Sequence, residues 1–115
     1  MKDVKSEIEF KGKKYSVVFN LNVMEAIQDE YGTLEEWGKL TSGADGEPNA
    51  KAVKFGFTQM LNEGIDIENE ENGTEIPHLT TNFVGRLLTD MGLQEMTQKL
   101  QKTIVESTQS SEKNA

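Results

Sequence analysis

The chain has 115 residues, a length typical of one domain, and 35 % of them are hydrophobic. Its 12 basic and 20 acidic residues give a net charge of −8, which disfavours binding to nucleic-acid phosphates and to anionic membrane surfaces. The absence of cysteine excludes disulfides and thiolate metal sites. No apolar run resembles a signal peptide or a membrane-spanning helix. Composition therefore predicts a small, acidic, soluble protein with no nucleic-acid or membrane partner.

The first two elements are predicted to be the strands of a β-hairpin. Residues 7–10 and 15–19 alternate apolar and polar side chains, which is the period of a half-buried strand. Gly12, between them, supplies the conformational freedom that a tight turn requires. Because an isolated hairpin is marginal in water, we expect its apolar face to pack on the helices that follow.

Two helices are predicted next, each bounded by residues typical of helix ends. Asn20 or Asn22 is the N-cap of the first helix, and Gly32 follows its last turn. Thr33, followed by Leu-Glu-Glu, is a capping box that begins a short helix over residues 34–41.

The middle of the chain is predicted to hold one helix between two loops. Residues 42–49 have the composition of a loop, whereas residues 50–63 place apolar side chains on one helical stripe. Gly64 is expected to end this helix. Residues 65–79 are acidic, and we expect them to form an exposed, mobile loop.

Two further helices are predicted in the C-terminal part. Thr80 or Thr81 caps a helix that ends near Gly92, and residues 93–107 repeat apolar side chains at helical spacing.

Together these elements predict one α+β domain over residues 1–107. In it, the N-terminal β-hairpin packs on a mainly helical body of about five helices. Residues 108–115 have little apolar area to bury, so we expect a disordered C-terminal tail.

The sequence contains no evident reactive constellation, so no catalytic residue, cofactor or metal is expected. His78 is the single histidine, and no cysteine or Gly-x-Ser-x-Gly motif accompanies it. Its acidic surroundings favour a solvated loop residue. Residues 68–79 match an EF-hand calcium loop at a few positions, but the stretch ends in Leu79, where a bidentate glutamate is required.

Large apolar side chains outside the core stripes are the candidates for a protein-binding surface. Phe55 lies about 200° around its helix from Val53, and Trp37, the single tryptophan, belongs to a short charged helix. Both aromatic residues either close the edge of a small core or contact a partner, since exposed aromatic residues are common at interfaces. The C-terminal helix adds Leu100 and Ile104 as candidate partner contacts.

Residues 15–38 run from a strand through an Asn-containing turn into a helix that ends in Tyr-Gly, followed by a short Leu-Glu-Glu helix. The positions that carry this pattern are Asn22, Ile27, Tyr31, Gly32 and Leu34. The pattern resembles the tail assembly chaperones of long-tailed bacteriophages and prophages. The later layout is also similar, with a mid-chain helix, a variable loop and two closing helices around Gly92-Leu93.

The resemblance implies a function in binding rather than in catalysis. Tail assembly chaperones bind the aggregation-prone tape measure protein in the host cytoplasm, assist assembly of the tail-tube protein around it, and are absent from the mature virion. Some are also made in a frameshifted, longer form, and a homo-oligomer is compatible with this role. Two alternatives stay open, namely a structural subunit of a phage tail or similar assembly, and an acidic inhibitor that mimics DNA.

Overall fold

The computed structural model describes residues 4–43, 46–92, 95, 98, 99 and 102. They form an α+β fold in which a two-stranded antiparallel hairpin precedes the helices. The strands are β1 (Val4–Phe10) and β2 (Lys13–Phe19), and the helices are α1 (Leu21–Tyr31), α2 (Leu34–Ser42), α3 (Ala50–Asn72) and α4 (Thr81–Met91). The predicted α+β class is confirmed.

The hairpin has the tight turn that its sequence predicts. β1 and β2 pair in antiparallel register, with Ile8 opposite Tyr15. Lys11 and Gly12, the two turn residues, have positive φ angles of 52° and 79°, as in a type I′ turn. Both predicted strands are confirmed, and each extends further than its alternating pattern indicated.

α1 runs antiparallel to α3, as the contacts at its two ends show. Near its start, Asn20 and Asn22 donate side-chain hydrogen bonds of 2.7 and 3.0 Å to Glu63 Oε2. At its end, the Tyr31 ring meets the Phe55 ring edge-on, with 5.6 Å between the ring centroids. Because Phe55 precedes Glu63 in α3, the two helices point in opposite directions.

α4 also runs antiparallel to α3. Leu79, just before α4, hydrogen-bonds to Asn62, whereas Gly85 within α4 lies against Lys54. An added Cβ atom at Gly85 would stand 3.1 Å from Lys54 Cδ, which places these two residues side by side. Since α3 also contacts α2 and β2, it is the central helix of the fold.

Polar side chains begin each of the four helices. Each of them accepts a hydrogen bond from a backbone N–H three residues later, and they are Asn20, Thr33, Asn49 and Thr80. Asn20 rather than Asn22 therefore caps α1, and Thr80 rather than Thr81 caps α4. The capping predicted at Thr33 is confirmed.

The predicted end of the third helix at Gly64 is wrong, and residues 65–79 are not one loop. α3 continues to Asn72 and ends at Gly73, whose φ of 65° is left-handed. Gly64 lies where α3 approaches β2, because an added Cβ atom there would stand 2.7 Å from the Ser16 carbonyl oxygen. The glycine marks a close contact between elements and not a helix terminus.

Within the described residues, four helices have defined bounds, one fewer than the predicted five. The fifth was predicted over residues 93–107, most of which lie outside the described part of the chain. Of those positions, 95, 98, 99 and 102 are described, and they are helical. The tail predicted over residues 108–115 lies wholly outside the described part.

The hydrophobic core lies between the hairpin and the helices, and every element contributes to it. One sheet face supplies Ile8 and Phe10 from β1 with Val17 and Phe19 from β2. The apolar stripe predicted for the third helix is buried against that face. It consists of Val53, Phe57, Met60 and Leu61.

Candidate functional site

Trp37 does not lie on the surface, so of the two roles that the sequence left open it has the one in the core, and its side chain is not available as the predicted partner contact. Its side chain is 0 % exposed, and the indole N–H donates a 3.0 Å hydrogen bond to the Ala52 carbonyl oxygen. Gly56 makes room for the ring, because an added Cβ atom there would stand 3.0 Å from Trp37 Cε2 and closer still to Cζ2. The indole therefore joins α2 to α3 as a core residue, and a side chain buried to this extent offers no area to a partner.

Phe55 lies at the edge of the core, and part of its side chain is exposed. It is half-buried, and it packs against the half-buried Tyr31. Among the described residues, the buried Tyr31 hydroxyl has no hydrogen-bond partner. Burial, and secondly the charge of Glu30, raise the pKa of Tyr31 above its ordinary value of 10.0. The other two predicted contacts, Leu100 and Ile104, lie outside the described residues.

The most exposed large apolar side chains of the described residues are Leu21 and Leu40, at 66 % and 38 %. Leu21 begins α1 and lies near the Glu63 end of the α1–α3 contact. The Leu40 carbonyl oxygen instead accepts a hydrogen bond from the N–H of Asn49, just before α3. Residues 49 and 63 are roughly 20 Å apart along a helix, so the two leucines do not form one apolar patch.

The acidic stretch does not adopt the geometry of a calcium-binding loop. Residues 68–72 are helical, whereas an EF-hand supplies its ligands from a loop. Within the described ranges, no group of three His, Asp or Glu side chains could hold a metal ion.

Residues 74–80, called here the strap, run back along the C-terminal half of α3. Asn69 Oδ1 accepts from the Ile76 N–H at 2.9 Å, and Asn69 Nδ2 donates to the Ile76 carbonyl at 3.0 Å. Asn62 makes the same two bonds with Leu79, at 2.8 and 3.1 Å. The seven α3 residues from one asparagine to the other rise roughly 10 Å, which three strap residues cover only when nearly extended.

A third side chain of α3 holds the middle of the strap. Asp66 Oδ1 lies 2.7 Å from His78 Nε2, and both side chains are about half exposed. Thr74 Oγ1 adds a 2.8 Å hydrogen bond to Asn69 Oδ1. The strap is therefore bonded along its length, which differs from the mobile loop expected from composition. His78 is exposed as predicted, but it has a carboxylate partner.

A groove of about 380 Å³ separates the strap from β2. It is lined by the start of β2, by Glu7 of β1, by one face of α3, and by the strap itself. Its lining includes Lys14, Tyr15, Ile65, Pro77 and His78.

The contacts of the strap were missed at the level of sequence, although a signal for them is present. Asn62, Asp66 and Asn69 have the spacing i, i+4 and i+7, which places three polar side chains on one face of a helix. The expected helix end at Gly64 separated Asn62 from the other two and concealed that spacing.

No family model, curated protein or solved structure matches this chain. The resemblance to tail assembly chaperones therefore depends on the residues quoted for it. In the described part of the chain, the helices are too short or too polar to cross a membrane.

Proposed function

We propose that this chain is a tail assembly chaperone of the long-tailed phage type, which binds the tape measure protein in the host cytoplasm and assists tail-tube assembly. The observation that carries the proposal is the local layout of the segment that resembles the family. β2 leads through the Asn20 cap into α1, the helix ends at Tyr31-Gly32, and Leu34 begins the short α2. A non-catalytic role agrees with a sequence that lacks a nucleophile and base in a recognised motif.

The proposed partner surface includes Phe55 with Tyr31, and it no longer includes Trp37. A half-buried aromatic side chain still exposes area that a partner can contact. Because its packing already restricts the side chain, little conformational entropy is lost on binding. Leu100 and Ile104 stay predicted contacts of the C-terminal helix.

The test is a co-purification of this chain with the tape measure protein encoded beside its gene. We expect Phe55→Ala to weaken co-purification and Phe83→Ala to leave it unchanged. Phe83 is the matched control because it is also half-buried but packs on Phe10 and Tyr15 of the hairpin. Both changes should lower the thermal midpoint, since each removes an aromatic ring from the core edge.

Equal loss of binding in the two variants would reject the assignment of Phe55. Absence of co-purification by the unmodified chain would reject the chaperone function itself. Mass spectrometry of purified virions separates the chaperone from a structural subunit, because only the subunit stays in the particle.

One observation favours the acidic inhibitor as a second candidate. The carboxylates of residues 66–71 lie on the ordered helix α3, and Asp66, Glu68, Glu70 and Glu71 are exposed. A DNA mimic requires such ordered negative charge. Its binding to a nucleic-acid-binding protein should fall steeply between about 50 and 200 mM salt, whereas binding through Phe55 should depend little on salt.

A further inference from the structure

The side chains that hold the strap recognise features that any extended polypeptide has. Asn62 and Asn69 each bond to both the N–H and the carbonyl of one strap residue. An amide side chain supplies one donor group and one acceptor, which is the complement of a single peptide residue. These four hydrogen bonds therefore do not depend on which side chains the bound segment carries.

The strap side chains define a pattern in addition to the backbone contacts. Ile76 and Leu79 are half-buried, and His78 between them meets the carboxylate of Asp66. The groove beside the strap is lined by Glu7 and Glu68 and also by Lys13 and Lys14, so its charges balance and the carboxylate of Asp66 sets the preference at this position. A Lys or Arg in place of the histidine is charged at every physiological pH, so it pairs with Asp66 at every such pH.

The chain between α3 and α4 is long enough for the strap to leave its place. The end of α3 is separated from the level of Asn62, where α4 begins, by about 15 Å of helix. The seven residues of the strap span up to about 24 Å when extended. Gly73, with its φ of 65°, stands at the junction. Residues 74–79 thus have slack, so they can leave α3 while Thr80 still caps α4.

The groove supplies an approach for a second segment. It lies between the strap and β2, and it opens beside the edge of the strap at Pro77 and His78. Tyr15 and Ile65 also line the groove.

We propose that the strap is an intramolecular occupant of a peptide-binding face on α3. An extended partner segment with the pattern apolar-x-basic-apolar displaces it and takes over the contacts with Asn62, Asp66 and Asn69. The inference rests on the proposed function in that this chain binds another protein, and it states which part of the partner is bound.

The test uses a labelled synthetic peptide of residues 74–81 that carries His78→Arg, with a His78→Glu peptide as the matched control. The tethered strap competes at an effective concentration in the millimolar range, so the unmodified protein should bind the Arg peptide weakly. Protein variants with a weakened strap, His78→Ala or Ile76→Ser, should bind it roughly tenfold more tightly, because they remove part of that competition. Fluorescence anisotropy measures both affinities.

The receptor side is tested by adding Asp66→Asn to the His78→Ala protein, in which the strap no longer contacts that carboxylate. We expect roughly tenfold weaker binding of the Arg peptide, which is the loss of about 1.4 kcal/mol of hydrogen bonding. His78 is exposed, so its alanine variant should fold even where Ile76→Ser does not. Chemical shifts should change at Asn62 and Ile65 and not at Phe55.

Three results would overturn the inference. They are no binding by the folded His78→Ala protein, equal binding of the Arg and Glu peptides, and binding that Asp66→Asn does not weaken in the His78→Ala protein. None of these three results bears on the chaperone function, because co-purification with the tape measure protein tests that function separately. Loss of co-purification with intact peptide binding would instead reject the chaperone function and keep the peptide-binding face.

Discussion

Gly56 and Gly38 lie on the two helices that Trp37 joins, and a methyl group should act oppositely at the two positions. Gly56→Ala places a Cβ atom too close to the indole ring of Trp37. The ring cannot easily move away, because its N–H is hydrogen-bonded to the Ala52 carbonyl oxygen. Such overpacking destabilises by roughly 1–3 kcal/mol. Gly38→Ala meets nothing within 4 Å, so it should stabilise α2 by roughly 0.5–1 kcal/mol.

Urea unfolding followed by the emission of Trp37 measures both free energies, since the chain has one tryptophan. Emission should move to longer wavelength as the buried indole meets water. Equal stabilities of the two variants would contradict the close packing of Trp37 on α3.

Tyr31 should make the stability fall in alkaline solution. Its pKa is raised above 10.0 in the folded state by burial and by Glu30, so the unfolded chain loses the phenolic proton first. The contribution is fully present below pH 10 and is lost as pH rises through the folded pKa. Tyr31→Phe removes a buried hydroxyl without a described partner, and should be neutral or stabilising by up to about 1 kcal/mol near pH 7.

Thermal melts at pH 8 and above pH 10 test this prediction. The alkaline loss should become smaller in Tyr31→Phe and persist in Tyr15→Phe, which keeps the Tyr31 hydroxyl. An unchanged alkaline loss in Tyr31→Phe would assign the effect to other groups.

Two separate asparagines of α3 hold the strap, and each forms a pair of hydrogen bonds with one strap residue. Loss of one asparagine should therefore release the strap at that residue only. Asn69→Ala leaves the Ile76 N–H and carbonyl without their partner, and Asn62→Ala does the same for Leu79. We expect faster amide hydrogen exchange at Ile76 in the first variant and at Leu79 in the second, by roughly tenfold for each lost pair.

Amide exchange followed by NMR distinguishes this local opening from global unfolding. Amides of the core in α3 should exchange at unchanged rates in both variants. Faster exchange throughout the protein would show that the strap is a cooperative part of the core.

The whole molecule carries a negative charge that its described ion pairs do little to balance. These pairs include Lys39 with Glu35 and Glu36, at 3.6 and 3.9 Å, and His78 with Asp66, and the side chains of these pairs are exposed. Exposed pairs contribute little to stability, so repulsion among the remaining carboxylates should dominate. Salt screens that repulsion over a Debye length of about 10 Å at 0.1 M.

We therefore expect the thermal midpoint to rise when sodium chloride is increased from about 0.02 to 0.3 M. Relief of about 1 kcal/mol would raise the midpoint by roughly 4 °C in a domain of this size. Scanning calorimetry measures the shift. A midpoint that falls with salt would show that attractive pairs outweigh the repulsion.

Features set by neighbouring residues were predictable from the order of amino acids. The hairpin follows from alternation on either side of Gly12, and the caps at Thr33 and Thr80 act over three residues. The buried stripe from Val53 to Leu61 follows from helical periodicity. In each case the interacting groups are close along the chain, so the pattern of residues already contains the contact.

The remaining features were determined by contacts between segments that are far apart along the chain. A glycine such as Gly64 is typical of a helix end, yet here it is required where α3 passes the Ser16 carbonyl oxygen. Trp37 lies in a charged helix, yet it is buried because Ala52 and Gly56 receive its ring. The extension of α3 beyond Gly64, and with it the strap, depends on such contacts. A glycine or an aromatic residue has the same local preference in either setting, and the surface that it meets selects between them.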